Sequence, residues 1–222
     1  MHVKPLNFSG NPTIGLYGFA TDRFVILGPE VPEEIREDIE RILQVPVLTT
    51  TIIGTSLVGA FLSGTEEKLL VPSIIDKKEL EKLHTLPCDV FVLKTKLTCL
   101  GNNILIGKKA VLIHPEFPES IRKEIETFLG KPTQYFTYEH IEAVGSIAVI
   151  NGNKGLFASI LPDEELVALE KLLGVEITTG TVNKGNPFVR SGIIANKHGF
   201  VIGSLSGGPE ITNADEALGF LQ

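Results

Sequence analysis

The chain has 222 residues, 43% of them hydrophobic, and 20 basic against 27 acidic side chains give a net charge of −7. That composition supports a full core and excludes a disordered chain, while the acidic balance argues against a protein that coats nucleic acid by neutralising phosphates. No apolar run approaches the roughly 18 residues a bilayer span needs, and residues 1–30 lack a basic start followed by an apolar stretch. No membrane partner and no DNA partner are therefore expected, and the expected location is cytoplasmic.

Taken in chain order, His2–Phe8 reads as a lone strand that runs into Ile14-Gly15. That apolar–Gly step recurs at Ile53-Gly54, Leu100-Gly101 and Val144-Gly145, with a degenerate Ser191-Gly192. The spacings are 39, 47, 44 and 47 residues, a period that marks a repeat architecture.

A first apolar run follows each step: Leu16–Phe19, Leu57–Leu62, Ile104–Ile106, Ile147–Ile150 and Ile193–Ala195. Polar turns come next, such as Thr21-Asp22-Arg23 and Asn196-Lys197-His198-Gly199, in which Asn and Gly supply the positive φ that tight hairpins demand. Second runs close the hairpins: Phe24–Leu27, Leu69–Val71, Ala110–Ile113, Leu156–Ala158 and Phe200–Ile202.

Helices should then begin at Pro32, Asp76, Pro118 and Pro162, where Pro suits a helix start and the neighbouring carboxylates complement the helix dipole. Apolar residues at helical spacing, such as Ile35, Ile39 and Ile42, give each helix one buried face. Third strands are expected at Val45–Thr51, Val90–Thr95, Thr133–Thr137 and Glu176–Thr179.

The fifth repeat has a hairpin and a weak helix near Ile211–Leu218 but no third strand. His2–Phe8 is the natural donor, because the two chain ends together amount to one further period of 45 residues. An open array would need polar capping repeats, and none is visible. The expectation is one α/β domain of five pseudo-symmetric β-β-α-β repeats closed by the N-terminal strand. Their approximate bounds are 15–53, 54–100, 101–144, 145–191, and 192–222 joined with 1–14.

Reactive chemistry is not legible. The five histidines (His2, His84, His114, His140, His198) show no metal-ligand spacing, and Cys88 and Cys99 read as buried free thiols. His114, before Pro115, reads as a structural imidazole. Gly101–Lys109 fails as a phosphate loop in glycine spacing, in the residue after Lys and in lacking a following helix. Runs such as Glu33, Glu34, Glu37 and Glu40 are solvated helix faces. No catalytic residue, metal or cofactor is expected.

A closed ring of five such repeats resembles the pentein architecture, the five-bladed α-β propeller. One branch of that fold holds guanidino-modifying enzymes, whose nucleophilic Cys comes late in the chain; here no Cys follows Cys99. The wording is instead similar to the translation initiation factor 6 family, across the full chain. The matching stretches are Ile14-Gly15, Leu70-Val71-Pro72, Leu100-Gly101-Asn102, His114-Pro115, Gly180-Thr181-Val182-Asn183-Lys184-Gly185 and Gly208-Pro209-Glu210. The length resembles the archaeal form. Ser191-Gly192 departs from the pattern, as does Ala60, where eukaryotic members tend to carry a basic residue.

The resemblance implies a non-enzymatic monomer that binds the joining face of the large (50S) ribosomal subunit and blocks the small one. Contacts would involve the L14-type ribosomal protein and ribosomal RNA of the sarcin–ricin region. The glycine steps should gather at one end of the ring, where they let backbones pass closely. The exposed polar residues beside them, Asn102, Asn103, Thr55, Ser56, Ser146 and Asn183, are then the expected contacts, with Asn102 first and Lys184 as the conspicuous cation. A guanidino-modifying enzyme and a ring-shaped scaffold with another partner are the alternatives.

Overall fold

Short β-branched runs alternating with amphipathic helices cannot bury both of their faces alone, so each repeat must lean on its neighbours. The computed structural model describes residues 2–139 and 141–221; Met1, His140 and Gln222 lie outside the described residues. Five three-stranded sheets form the blades of a pentein propeller. The first blade is built from β2 (Gly18–Ala20), β3 (Val25–Leu27), α1 (Glu33–Leu43) and β4 (Val47–Thr49), after an N-terminal strand β1 (Val3–Leu6). The second uses a short helix α2 (Val58–Phe61), then β5 (Ser63–Gly64), β6 (Lys68–Pro72), α3 (Lys77–Leu83) and β7 (Asp89–Leu93).

In the third come α4 (Leu100–Asn103), β8 (Ile104–Ile106), β9 (Val111–Ile113), α5 (Glu119–Leu129) and β10 (Thr133–Tyr135). The fourth has β11 (Ala148–Asn151), β12 (Lys154–Ala158), α6 (Asp163–Leu173) and β13 (Glu176–Gly180). The fifth has β14 (Ile193–Asn196), β15 (Gly199–Gly203) and α7 (Gly208–Ala217). In every blade the first strand pairs antiparallel with the second and the second parallel with a third, which in the first four blades the helix delivers; in blade two, for example, Leu70 stands opposite Ser63 and Phe91.

The fifth blade takes its third strand from the N-terminus. β1 pairs parallel with β15 from Val3–Phe200 to Leu6–Gly203. Side chains fasten the join: His2 Nε2 lies 2.8 Å from Asp215, and Lys4 pairs with Asp38 on α1. The closing strand is therefore held from both of the blades it links.

Apolar packing runs between blades rather than within them. One cluster joins Phe19, Phe24 and Ile26 of blade one to Leu62, Leu69 and Val71 of blade two. Others join Leu70 and Leu93 to Val111 and Ile125, Leu105 and Leu112 to Phe157 and Leu169, Leu156 to Phe200 and Ile202, and Val25 and Leu27 to Ile194 and Val201. There are five seams and five cores.

The helices start as their sequences indicate. Pro32, Pro118 and Pro162 stand just before the first turn with extended ψ, and each carbonyl accepts an N–H four residues on, as from Arg36 to Pro32 at 3.0 Å. Two expectations need correction. Within Leu57–Leu62, Val58–Phe61 is the helix α2 and not a strand, and the first paired strand is only Ser63–Gly64. Also, Asn151 and Asn196 do not adopt positive φ. Their amides instead donate across seams, Asn151 to Leu218 O at 2.8 Å and Asn196 to Leu43 O at 2.8 Å.

The step itself is a helical turn in every blade: Ile14–Leu16, α2, α4, Val144–Ser146 and Val189–Gly192. This changes its register in two repeats. A Cβ on Gly59 would lie 2.1 Å from Gly15 O, one on Gly101 2.1 Å from Gly59 O, and one on Gly145 2.0 Å from Gly101 O. A Cβ on Gly15 would lie 1.8 Å from Arg190 O, so the close approach spans four of the five seams. The second step is thus Val58-Gly59 rather than Ile53-Gly54, and the fifth is Val189-Arg190 rather than Ser191-Gly192. Ile53-Gly54 lies upstream, in a left-handed turn with φ of 58° and 71°.

The two registers predict opposite mutational costs. Gly59→Ala drives a methyl into a backbone carbonyl and is expected to lose about 3 kcal/mol or prevent folding. Gly54→Ala meets open space and should lose about 1 kcal/mol, the cost of a left-handed Ala. Urea unfolding followed by far-ultraviolet circular dichroism, suited to a chain without Trp, measures both; a larger loss for Gly54→Ala contradicts the assignment.

Candidate functional site

Chain direction sorts the loops onto two ends. The first strand of each blade leaves the step and runs to the hairpin; the second returns; the helix descends, and the third strand returns again. One end therefore carries the five steps, the helix N-termini and the turns after the third strands. The hairpins and helix C-termini occupy the other.

On the step end, the residue after each step position forms an inner ring: Leu16, Ala60, Asn102, Ser146 and Ser191. Asn102 and Ser146 are adjacent in it, and Ser146 Oγ donates to Asn102 Oδ1 at 3.2 Å across the seam between blades three and four. Asn103 Nδ2 donates to Cys99 O at 2.9 Å and closes the short helix α4. Both asparagines remain partly exposed, whereas Ser146 is only 8% exposed. Asn102 is the member of the pair that reaches solvent.

Thr55 and Ser56 sit before the corrected second step. Thr55 is half-buried and closes the turn with Ile52, while Ser56 is 6% exposed beneath Gly28, whose missing Cβ would lie 2.3 Å from Ser56 O. Ser56 and Ser146 are therefore packing residues and not the exposed contacts expected of them.

The polar loop Gly180–Gly185 is built rather than loose. Asn183, Lys184 and Gly185 all have positive φ, of 52°, 64° and 95°. Two of their amides are held by one carboxylate: Glu210 accepts from Lys184 N at 3.1 Å and Gly185 N at 2.9 Å, and also from Gly207 N and Thr181 Oγ1. Burial alone would raise the Glu210 pKa; the four donors outweigh it and hold the carboxyl below its ordinary value. Asn183 turns inward, donating from Nδ2 to Pro12 O at 3.0 Å, so Lys184 is the residue the loop displays.

Blade two repeats the device. Glu79 accepts from Ile53 N and Gly54 N at 2.8 Å each and from Thr51 Oγ1 at 2.5 Å. Both clasping glutamates sit at the third position of their helices. Two stretches of sequence far apart, Gly180–Gly185 and Gly208–Glu210, are one structural unit.

The face also carries side chains that the sequence reading missed. Ile74, Ile160 and Leu205 are 54%, 45% and 46% exposed, each directly after a second strand, and Phe188 is 36% exposed beside the fifth step. A signal for the first three existed in the repeated pairs Ser73-Ile74, Ser159-Ile160 and Ser204-Leu205. Carboxylates occupy first turns around the rim: Glu33 and Glu34, Glu119, and Asp163, Glu164 and Glu165. The hairpin end has Lys108, Lys109, Lys154 and Lys197.

No group of three or more metal-binding side chains occurs among the described residues. His114 is buried, with Nδ1 accepting from Glu116 N at 3.1 Å. Cys88 and Cys99 are half-buried free thiols whose pKa burial pushes up, away from the thiolate form. No described helix is long and apolar enough to cross a membrane. The geometry offers an apolar-studded, acid-rimmed surface rather than a reaction centre.

Comparison with known proteins agrees. Residues 3–217 match the model of the eIF-6 family. Curated proteins named translation initiation factor 6 from Thermococcus kodakarensis and Thermococcus onnurineus are 39% and 38% identical, covering all of both chains. The one from Saccharolobus islandicus is 35% identical over 99% of this chain and all of its own. Among solved structures, DDAH from Pseudomonas aeruginosa complexed with citrulline superposes with a TM-score of 0.53 at 15% identity. It covers 75% of this chain and 68% of its own, a likeness of fold alone.

The Glu210 clasp has a pH signature. Because its folded pKa lies below its unfolded one, its contribution is present above about pH 4.5 and is lost as pH falls through the folded value. Glu210→Gln should cost about 1–2 kcal/mol at pH 7, with faster amide exchange at Lys184 and Gly185. The stability difference from wild type should shrink in acid; one independent of pH would contradict the clasp.

Proposed function

We propose a mode of action from one premise: this chain belongs to the eIF-6 family. It is a translation initiation factor and not an enzyme. The factor binds the large ribosomal subunit through the step end of the ring and, by occupying the surface the small subunit needs, prevents the two from joining. It works in the cytoplasm, as a monomer.

One observation carries this reading. The Leu100-Gly101-Asn102 step, the Gly180–Gly185 loop and Gly208-Pro209-Glu210, three stretches shared with the family wording, come together on one end of the ring. That end also carries exposed Ile74, Ile160, Leu205 and Phe188 inside a rim of helix-start carboxylates. Apolar anchors supply binding energy when desolvated, and an acidic rim steers a basic partner. A basic ribosomal protein of the L14 type is the principal contact. Sarcin–ricin RNA lies at the edge, within reach of Lys184 rather than across the face.

Asn102 is the central polar contact, with Asn103 beside it. Thr55 contributes at the periphery, and Ser146 acts by fixing the Asn102 side chain. Asn183 likewise acts through its loop.

Co-sedimentation with purified large subunits separates the two ends of the ring. Asn102→Arg, which places a bulky cation on the step face, should weaken binding about tenfold or more and restore subunit joining. Lys108→Glu, on the hairpin end, should bind and block like wild type. The reverse pattern would place the contact on the wrong end of the molecule.

A further inference from the structure

The first strands β2, β5, β8, β11 and β14 line a channel along the ring axis. Near the step end it narrows to a half-open cavity of about 130 Å³ whose walls include Gly18, Ser63, Leu105, Ala148 and Ile194, and Arg190. Arg190 is the fifth step position, the one that carries a side chain where the other four have glycine. Arg190 is half-buried and lines the cavity.

Its partners do not match its charge. Nη2 donates to Leu62 O at a long 3.4 Å, toward blade two and so past the adjoining first blade. Among the described residues no carboxylate pairs with it, and no Asp or Glu lines the cavity. A guanidinium has five N–H donors and stays charged in proteins, so most of these donors have only the cavity to face. Burial pulls the Arg190 pKa down to about 10, still far above neutrality. A cation drawn partly out of water with no counter-charge beside it carries a desolvation cost that an anion would offset. Ser63, 2% exposed, lines the same cavity wall.

We propose that the channel binds a small inorganic anion, of the chloride or phosphate class, against the Arg190 guanidinium with the Ser63 hydroxyl as a further donor. Size restricts the class. The space beside Arg190, about 130 Å³, takes a single halide or oxyanion, while toward the hairpin end the channel widens to about 500 Å³ between side chains that include Asp22, Glu66, Lys108 and Lys131. The anion supplies the missing counter-charge and links blade five to blade two through the ring's interior. It is an internal ligand, separate from the docking face, and subunit binding is not its test.

Thermal unfolding of the full chain at constant ionic strength, with sodium gluconate replaced stepwise by sodium bromide or sodium phosphate, measures it. The wild-type Tm should rise saturably, by about 5–10 °C at a hundredfold excess over Kd, and Arg190→Met should give a flat titration. Parallel curves for the two proteins, or no rise, overturn the proposal. Should Arg190→Met fail to fold, bromide-soaked wild-type crystals decide. An anomalous peak within hydrogen-bond distance of the Arg190 guanidinium supports the site, and its absence removes it.

Discussion

The structure depends on how closely one step backbone passes the next. The carbonyls of Gly15, Gly59 and Gly101 each lie about where the Cβ of the following step residue would be, at 2.0–2.1 Å. Only glycine permits that approach, which with Arg190 O against Gly15 recurs at four of the five seams. Because these contacts sit at the axis, they set the radius at which the blades converge. That radius decides whether the apolar faces of adjacent blades meet as five packed seams. The join of β1 to β15 completes a circle whose circumference the steps have already fixed.

The same convergence separates the two ends chemically. With every blade running in the same sense, the helix N-termini share one end, and carboxylates favoured there by the helix dipole collect as a rim. The lysines of the hairpins collect on the other. Around the apolar residues the charge differs from blade to blade: Ile160 precedes the carboxylates Asp163, Glu164 and Glu165, whereas Ile74 is followed by exposed Lys77 and Lys78. The enzymes that share the fold use a ring of the same kind for a different purpose, so function here has to be argued from the side chains on the face.

Much of this was legible in the sequence. The period of about 45 residues, the strand–strand–helix–strand order and the closing strand follow from hydrophobic spacing and from how the ends add up. The register of the second step was not, because Ile53-Gly54 and Val58-Gly59 are both apolar–Gly pairs five residues apart. Only the position of the neighbouring carbonyl tells them apart. The fifth step was missed for the opposite reason: Val189-Arg190 has no glycine, and Ser191-Gly192 beside it does. Exposure was the least legible property. Ser56 and Ser146 look like surface residues and are packed, while Ile74 and Ile160 look like core and are not, since burial depends on what the adjacent blade covers. The Glu210 clasp, joining residues some 25 positions apart, had no sequence signal beyond the nearness of two familiar stretches.

The claim that the step end is the docking face is tested most directly by hydrogen–deuterium exchange of the chain with and without purified large subunits. Protection is expected at residues 100–103 and 182–188 and in the segments around Ile74, Ile160 and Leu205, with the hairpins at 107–109 and 151–153 unchanged. Protection confined to the hairpins, with the step end exchanging as in the free protein, would contradict the account.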